Sequence, residues 1–242
     1  MDFQSLLHIV QQLLGGLTSS IAIFVLTLVF SMPLGLLITF GRMSKWAPLR
    51  RLAPKDVPVG KCRKALAVFK PIQCIFKGFI AIVRGTPLML QLFAIFYGPY
   101  YLFGMSLSLE YRFTAVIIGF SINYAAYFAE IYRSGIESIP VGQYEAATVL
   151  GYSKTQTFFR IIFPQMCKRI LPPVTNEAIT LVKDTSLAFV ISYQEMFTIA
   201  KQISAAQTTI MPLIVAGVFY FIFNDVVAFI MDRIEKKMNY YR

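Results

Sequence analysis

The sequence has 242 residues, of which 57% are hydrophobic and 14% charged, and its mean hydropathy is +0.62. This composition excludes an ordinary soluble domain of this size and indicates an integral membrane protein. Lysine and arginine outnumber aspartate and glutamate by 23 to 12, a net charge of +11. Because the basic residues cluster beside the apolar segments, membrane topology explains them better than a nucleic-acid partner does.

The first predicted span covers residues 17–41, long enough to cross about 30 Å of hydrocarbon. No Lys, Arg, Asp or Glu occurs from Phe3 to Phe40, so we do not expect a cleavable signal peptide. Basic residues crowd the loop that follows, from Arg42 to Lys64. This charge bias predicts an external N-terminus and a cytosolic loop. Gly60-Lys61-Cys62 in that loop lacks the residues of a nucleotide-binding loop, so we expect no ATPase in this chain.

The second predicted span covers residues 80–102 and contains the run Arg84-Gly85-Thr86-Pro87. Pro87 has no backbone N–H, so we expect the helix to kink or open there. We interpret Arg84 as an interfacial side chain that snorkels to the membrane surface. The third predicted span, residues 113–132, is rich in glycine, alanine and serine, which allows close helix contacts.

A polar stretch at residues 140–164 follows the third span and reads GQYEAATVLGYSKTQTFFRIIFP from Gly142 onward. We expect a short helix from Val141 to Leu150, with Glu145 in its first turn, where the helix dipole favours a carboxylate. Gly151 suits the left-handed residue that ends a helix. We therefore expect a small polar element that is either offered to a partner or is an ordinary solvated loop.

A second short helix is predicted immediately after that turn. Ser153 and Gln156 have the spacing of a capping box. We expect Pro164 to interrupt this second helix. The three cysteines, Cys62, Cys74 and Cys167, form no CxxC pair, and we expect free thiols.

The last two predicted spans cover residues 172–191 and 210–231. The first of them begins at Pro172 and Pro173 and is the least apolar of the set. Between them we expect an outer segment with a short helix. We therefore predict an all-α membrane protein, residues 1–242 forming a single domain of five spans with a cytosolic C-terminus. No internal repeat is visible, which argues against a two-halved transporter in one chain.

The fourth span carries Glu177, Lys183 and Asp184. Charged groups in hydrocarbon are costly, so each is a candidate functional residue. Glu177 and Asp184 are two helical turns apart and share a face, about 10 Å from each other along the axis. One interpretation is structural, with Lys183 paired to Asp225 or Glu130 across the bundle. The other is a polar path for a solute, in which Glu177 accepts an ammonium group and Thr86 or freed N–H groups near Pro87 receive a carboxylate.

Several motifs resemble those of ABC importer permeases for polar amino acids. Glu145-Ala146-Ala147, Gly151 and the run Ile161-x-Phe163-Pro164 look like the family's EAA loop, with Phe163 in place of leucine. The same family is indicated by four further stretches: Arg84 to Leu88, Ala125 to Glu130, Leu171 to Glu177, and Lys183 to Leu187. Together they cover the chain from about residue 15 to its end.

The resemblance implies a set of residue roles. It implies that Glu177 contacts the substrate. Together with the polar faces already described, the predicted solute path includes Thr86, Asn176, Glu177, Thr180, Asp184, Thr185 and Ser186. The loop that docks into a groove on a cytosolic ATPase would use Gln143, Glu145, Ala146, Ala147 and Gly151. Two departures bear on the substrate. Ala81 replaces a glutamate that many members carry, which argues against a purely Arg- or Lys-type substrate, and Tyr124 stands where the family usually has a small residue.

The resemblance also implies partners: two ATPase subunits that hold ATP and magnesium, a second permease subunit, identical or homologous, and an external amino-acid-binding protein. The expected place is the bacterial cytoplasmic membrane. A secondary transporter or channel that needs no ATPase is the alternative. A membrane enzyme is disfavoured because His8 is the single histidine and no metal-ligand or nucleophile motif is present; we expect no catalytic residue, metal or cofactor in this chain.

Overall fold

A computed structural model describes residues 3–47 and 70–238, and the regular secondary structure of these residues is entirely helical, without a strand. The helices, in our numbering, are α1 (Phe3–Arg42), α2 (Pro71–Gly85), α3 (Leu88–Phe103), α4 (Leu109–Glu137), α5 (Val141–Val149), α6 (Lys154–Thr157), a π-helical segment (Phe158–Ile162), α7 (Phe163–Asp184), a 3₁₀ segment (Thr185–Ile191), α8 (Met196–Gln207) and α9 (Met211–Met238). Cys62 and the predictions for residues 53–69 lie outside the described residues, whereas Cys74 and Cys167 are free thiols.

Helix α4 is the centre of the bundle. Ala125, Ala126 and Ala129 are completely buried on it. A Cβ atom added to Gly35 of α1 would lie 2.8 Å from the Cβ of Phe128, so only glycine allows the two helices to approach this closely. The predicted role of the small residues of the third span in close helix packing is confirmed.

Three described helices are long and apolar enough to cross a membrane: Gln4–Arg42, Glu110–Glu137 and Met211–Met238. Each is longer than the corresponding predicted span, because its helix continues beyond the apolar stretch. The second predicted span is two helices instead of one, since Pro71–Gly85 and Leu88–Phe103 are bent by 107° at Thr86 and Pro87. The break that we expected at Pro87 is confirmed, and α2 and α3 together give at most a fourth span.

The fourth predicted span has different boundaries from those that we expected. Its helix α7 begins at Phe163, so Pro172 and Pro173 lie inside it and do not start it. Four buried residues at four-residue spacing hold this helix against the bundle across the prolines: Met166, Ile170, Val174 and Ala178. Helix α7 is not among the described helices that are apolar enough to cross a membrane, because it carries Lys168, Arg169, Glu177, Lys183 and Asp184.

Pro164 does not interrupt the helix that begins after Ser153, which is a second correction. The helical backbone continues from Lys154 to Asp184. Pro164 falls in the first turn of α7, where a missing N–H costs little. Before it, the backbone widens to a π-helix, in which the Phe163 N–H donates to the Phe158 carbonyl oxygen five residues earlier.

The predicted short helix of the outer segment is confirmed as α8, and it begins at a buried carboxylate. Glu195 is completely buried. Its carboxylate accepts hydrogen bonds from the Phe197 N–H at 2.7 Å, the Thr198 N–H at 2.6 Å and the Tyr220 hydroxyl at 2.9 Å. Because Tyr220 belongs to α9, this carboxylate both caps α8 and joins it to the last helix.

Candidate functional site

A cavity of about 530 Å³ lies where the break between α2 and α3 meets the middle of α4 and the end of α7. Polar or charged side chains line it from the α2–α3 break, from α4 and from α7. The lining residues are Arg84, Gly85, Thr86, Pro87, Leu88, Asn123, Tyr124, Tyr127, Glu177, Thr180, Asp184 and Leu187. The structure therefore brings Thr86, Glu177, Thr180 and Asp184 of the predicted solute path together at one site.

The break between α2 and α3 is held open by Gln91. In a continuous helix the Val83 carbonyl oxygen would receive the N–H of residue 87, and Pro87 has none. The Gln91 amide donates to that carbonyl at 2.7 Å and to the Thr86 carbonyl at 3.1 Å. Asn123 of α4 in turn donates to the Gln91 side-chain oxygen at 3.1 Å. Sequence reasoning missed Gln91 and Asn123, although a glutamine four residues after a helix-breaking proline is a usable signal.

The two carboxylates of α7 have different surroundings. Asp184 accepts a hydrogen bond from the Tyr124 hydroxyl at 2.7 Å. Glu177 has no hydrogen bond or ion pair with any residue that the structure describes. The Thr180 hydroxyl between them donates to the Asn176 carbonyl oxygen at 2.9 Å. Of the two carboxylates, Asp184 therefore has a hydrogen-bond donor among the described residues and Glu177 has none.

Three residues of the predicted path do not line the cavity. Asn176 is exposed outside it. Thr185 is completely buried and its hydroxyl donates to the Val182 carbonyl oxygen at 2.8 Å, while the Ser186 hydroxyl donates to the Lys183 carbonyl at 2.7 Å. The turn from α-helix to 3₁₀-helix at residue 185 directs these hydroxyls to the backbone.

Lys183 does not pair with Asp225 or Glu130 in the part of the chain described; its side chain is exposed. Glu130 instead pairs with Arg42 of α1 and, at 2.8 Å, with Arg133. Arg133 lies one helical turn from Glu130 on α4, and Arg42 reaches Glu130 from the neighbouring helix α1. Glu130 therefore has two cationic partners without Lys183. Within residues 3–47 and 70–238, no group of three or more His, Cys, Asp or Glu could hold a metal ion.

Arg84 lines the cavity, which sequence reasoning did not foresee when it assigned an interfacial role. Its guanidinium lies 5.0 Å from the centre of the Tyr127 ring, a cation–π distance. Its Nη1 lies 3.9 Å from Glu130 Oε1, too far for a hydrogen bond. Since Glu130 is already occupied by two closer arginines, Arg84 is only loosely held and its charge faces the cavity.

The predicted docking loop forms the short helix α5, and Gly151 after it has a φ of +74°, as expected. Glu145 lies in the second turn, because α5 begins at Val141, and the expected first-turn position is wrong. Glu145 and Ala146 are exposed, whereas Ala147 is completely buried. Ala147 therefore faces the rest of the protein and does not belong to an outer face.

The outer face of α5 also includes apolar residues that sequence reasoning missed. Val149 and Leu150 are 86% and 72% exposed. Two large apolar side chains directly before a helix-ending glycine are a signal that could have identified them. The Gln143 side-chain oxygen accepts from the Gln165 amide at 3.3 Å, which ties α5 to the start of α7. The predicted capping box of Ser153 and Gln156 is present, with bonds of 2.8 and 3.2 Å.

The family model described as binding-protein-dependent transport system inner membrane component matches residues 65–240. The chain belongs to this family. The match spans the broken helix pair, the cavity and α5, so the two features that sequence and geometry single out both lie in the family's region.

Named relatives agree with this assignment. The chain is 34% identical over 229 residues to the L-cystine transport system permease protein TcyB of Bacillus subtilis (strain 168), covering 94% of this chain and 86% of the relative. It is 30% identical over 239 residues to the arginine transport system permease protein ArtQ of the same organism, covering 98% and 97%.

Solved structures share the fold. A crystal structure of an amino acid ABC transporter with histidines matches with a TM-score of 0.79 and 28% identity, covering 98% of this chain and 99% of that chain. The MetNI methionine ABC transporter, in an inward facing conformation, matches with a TM-score of 0.69 and 18% identity over 99% and 100%. The second likeness concerns the fold alone.

Proposed function

We propose that this chain is the membrane-spanning permease subunit of an ATP-driven importer for amino acids. The observation that carries the proposal is the cavity at the helix break, where an unpaired Glu177 and a loosely held Arg84 face the same space. Membership of the binding-protein-dependent transport family and the names of the relatives support it. Transport sites in membrane proteins form at broken helices of this kind.

Each charged part of an amino acid has a matching group in this cavity. The Glu177 carboxylate would accept the ammonium group. The first N–H groups of α3, at Leu88 and Met89, have no acceptor within their own helix, and the positive end of that helix favours a carboxylate. Arg84 would add a charged donor on the same side. The Thr86 hydroxyl is engaged with the Ile82 carbonyl at 2.9 Å, so the backbone N–H groups are the better candidates for the carboxylate.

The proposed topology has five spans in one transmembrane domain. α2 with α3 count as one span, and α7 with its 3₁₀ segment as another. Arg42, Arg133 and Arg169 lie at the bundle end that also carries α5, since Arg42 pairs with Glu130 and Arg169 donates to the Ser138 carbonyl oxygen. By the positive-inside rule we propose that this end is cytosolic, with the N-terminus outside and the C-terminus inside, in the bacterial cytoplasmic membrane.

Helix α5 is proposed to be the coupling helix. Glu145, Ala146, Val149 and Leu150 present a small surface with an apolar edge to the cytosol. The proposed importer has two permease subunits and two ATPases, which bind ATP and magnesium. Each ATPase would contact this surface of one permease subunit. An external binding protein would deliver the amino acid. The chain itself performs no catalysis in this proposal.

The proposal is tested by uptake into proteoliposomes. The vesicles contain the chain with its ATPases, the external binding protein is added, and the accumulation of each standard amino acid is measured with and without ATP. ATP-dependent accumulation of at least one amino acid is expected. Uptake by the chain alone, at the same rate as by the complex, would instead support a secondary transporter or channel.

A further inference from the structure

The two carboxylates of the cavity, Asp184 and Glu177, differ by one hydrogen bond. Tyr124 lines the cavity beside Asn123 and is only 2% exposed. Its hydroxyl donates to Asp184 Oδ2 at 2.7 Å. Glu177, seven residues earlier on the same helix, has no such partner among the residues described. A solute in the cavity therefore meets one carboxylate that already accepts a hydrogen bond, Asp184, and one that does not, Glu177.

The position of the Tyr124 hydroxyl is fixed by packing. Its ring contacts the rings of Tyr127 and Phe128, with centroid distances of 6.3 and 6.4 Å. The side chain lies in the main apolar core, where alternative rotamers would collide with neighbours. The phenol holds Asp184 Oδ2, so a solute meets this carboxylate at Oδ1 unless it displaces a buried hydrogen bond and leaves the phenol without a partner.

We infer that Tyr124 is a specificity-determining residue: by holding one oxygen of Asp184 it makes this carboxylate a poorer acceptor for a cationic side chain and sets the cavity for amino acids whose side chains carry no positive charge. This inference rests on the proposed function. With Asp184 Oδ2 already held, the cavity offers one cation, Arg84, and one carboxylate without a hydrogen-bond donor, Glu177. These two match the carboxylate and ammonium of a zwitterion, and a third charge on a lysine or arginine side chain is left with the weaker acceptor, Asp184.

The test uses the assembled importer of permease and ATPases, without the external binding protein, because that protein would select the solute first. Binding of each of the standard L-amino acids is measured by calorimetry. The quantity compared is the Kd of L-arginine and L-lysine divided by that of the tightest neutral amino acid. Wild type is expected to favour a neutral amino acid. Tyr124→Phe, which keeps the ring and frees the carboxylate, is expected to lower this ratio about tenfold.

Two further variants complete the test. Tyr132→Phe, a buried tyrosine two turns further along α4 and outside the cavity lining, should leave the ratio within about twofold of wild type. The double variant Tyr124→Phe/Asp184→Asn should lose the gain for cationic amino acids. The inference is overturned if wild type favours arginine or lysine, if Tyr124→Phe leaves the ratio unchanged, or if the double variant keeps the gain. If wild type binds no amino acid, the proposed function is overturned together with the inference. If wild type binds amino acids but the ratio does not change as expected, the inference alone is overturned.

Discussion

The Gln91 side-chain amide donates a hydrogen bond to the Val83 carbonyl oxygen at 2.7 Å, across the sharp bend between α2 and α3. It supplies the donor that Pro87 cannot provide at that position of the helix. The bend is therefore not a flexible joint, because a side chain from the second helix satisfies the exposed backbone of the first. The shape of the cavity therefore depends on the Gln91 side chain, which replaces the missing backbone donor.

Replacing Gln91 by leucine should destabilise the protein. The half-buried Val83 carbonyl oxygen would lose its donor, and an unsatisfied buried polar group costs about 1–3 kcal/mol. The exposed Thr86 carbonyl oxygen can bond to water instead. The melting temperature of the detergent-purified chain measures this effect. Gln207→Leu, at an exposed position near the end of α8, is the matched control and should melt like wild type. Equal melting temperatures for both variants would contradict the role given to Gln91.

Gly151 should tolerate asparagine and reject valine. Its φ of +74° costs most residues about 1–2 kcal/mol, whereas asparagine visits this region readily. A Cβ atom there meets nothing within 4 Å, so backbone strain is the whole effect. We expect Gly151→Val to reduce ATP-driven uptake about tenfold without reducing the amount of chain in the membrane.

Gly151→Asn is expected to keep most of the uptake. Gly78→Ala is the control for the loss of a glycine, since this helical position also has open space around it. If the valine and asparagine variants transported equally well, the left-handed turn after α5 would have no part in coupling.

Glu177→Gln should weaken amino-acid binding. The substitution keeps the shape of the side chain and removes its charge, and a hydrogen bond to a charged group contributes about 1.5–3 kcal/mol. We therefore expect the Kd of the assembled importer to rise at least about tenfold. Glu110→Gln, an exposed glutamate in the first turn of α4, provides the same chemical change away from the cavity. Unchanged affinity in Glu177→Gln would remove this carboxylate from the proposed site.

The buried Glu195 should make the stability of the protein depend on pH. Burial raises the pKa of its carboxyl above the ordinary value of 4.5, although hydrogen bonds from Thr198 and Phe197 oppose this. A raised folded-state pKa means that the folded protein holds the proton more tightly than the unfolded chain does. The stabilisation is therefore complete below pH 4.5 and is lost as the pH rises through the folded-state pKa.

Melting temperatures across this pH range test the sign. Relative to wild type, Glu195→Gln should show a smaller fall in melting temperature toward neutral pH, because its side chain does not titrate. Asp232→Asn alters an exposed pair with Lys236 and should keep the wild-type slope, since such pairs contribute little. A wild-type melting temperature that rises with pH, with the rise removed by Glu195→Gln, would mean that the folded-state pKa is lowered instead.

The sequence predicts features that depend on neighbouring residues, but it does not predict contacts between distant parts of the chain. The helix break at Pro87, the left-handed Gly151 and the capping box at Ser153 each depend on residues within one or two turns. The hydrogen bond from Tyr124 to Asp184 joins residues 60 positions apart, and no local pattern specifies it. For the same reason the sequence identified Glu177 and Asp184 as charged residues on one face but could not tell which of them is occupied.

Proline was the residue that misled sequence reasoning most. Because proline removes a helical donor, the sequence predicts helix boundaries at Pro164, Pro172 and Pro173. In the structure a π-helical segment precedes the first, and a buried stripe of α7 spans the other two. Packing with neighbouring helices decides this outcome, and that information is spread over the whole chain.

The unbroken backbone from Lys154 to Asp184 has a mechanical consequence. It is about 45 Å long, with the turn after α5 at one end and the cavity's carboxylates toward the other. Tilting such a rod by about 10° around one end displaces the other by about 8 Å. The orientation of the chain just after Gly151 therefore bears on the position of Asp184. The five-residue π segment and the Pro172-Pro173 pair, where helical N–H donors are missing, are the places along the rod that can absorb part of the motion.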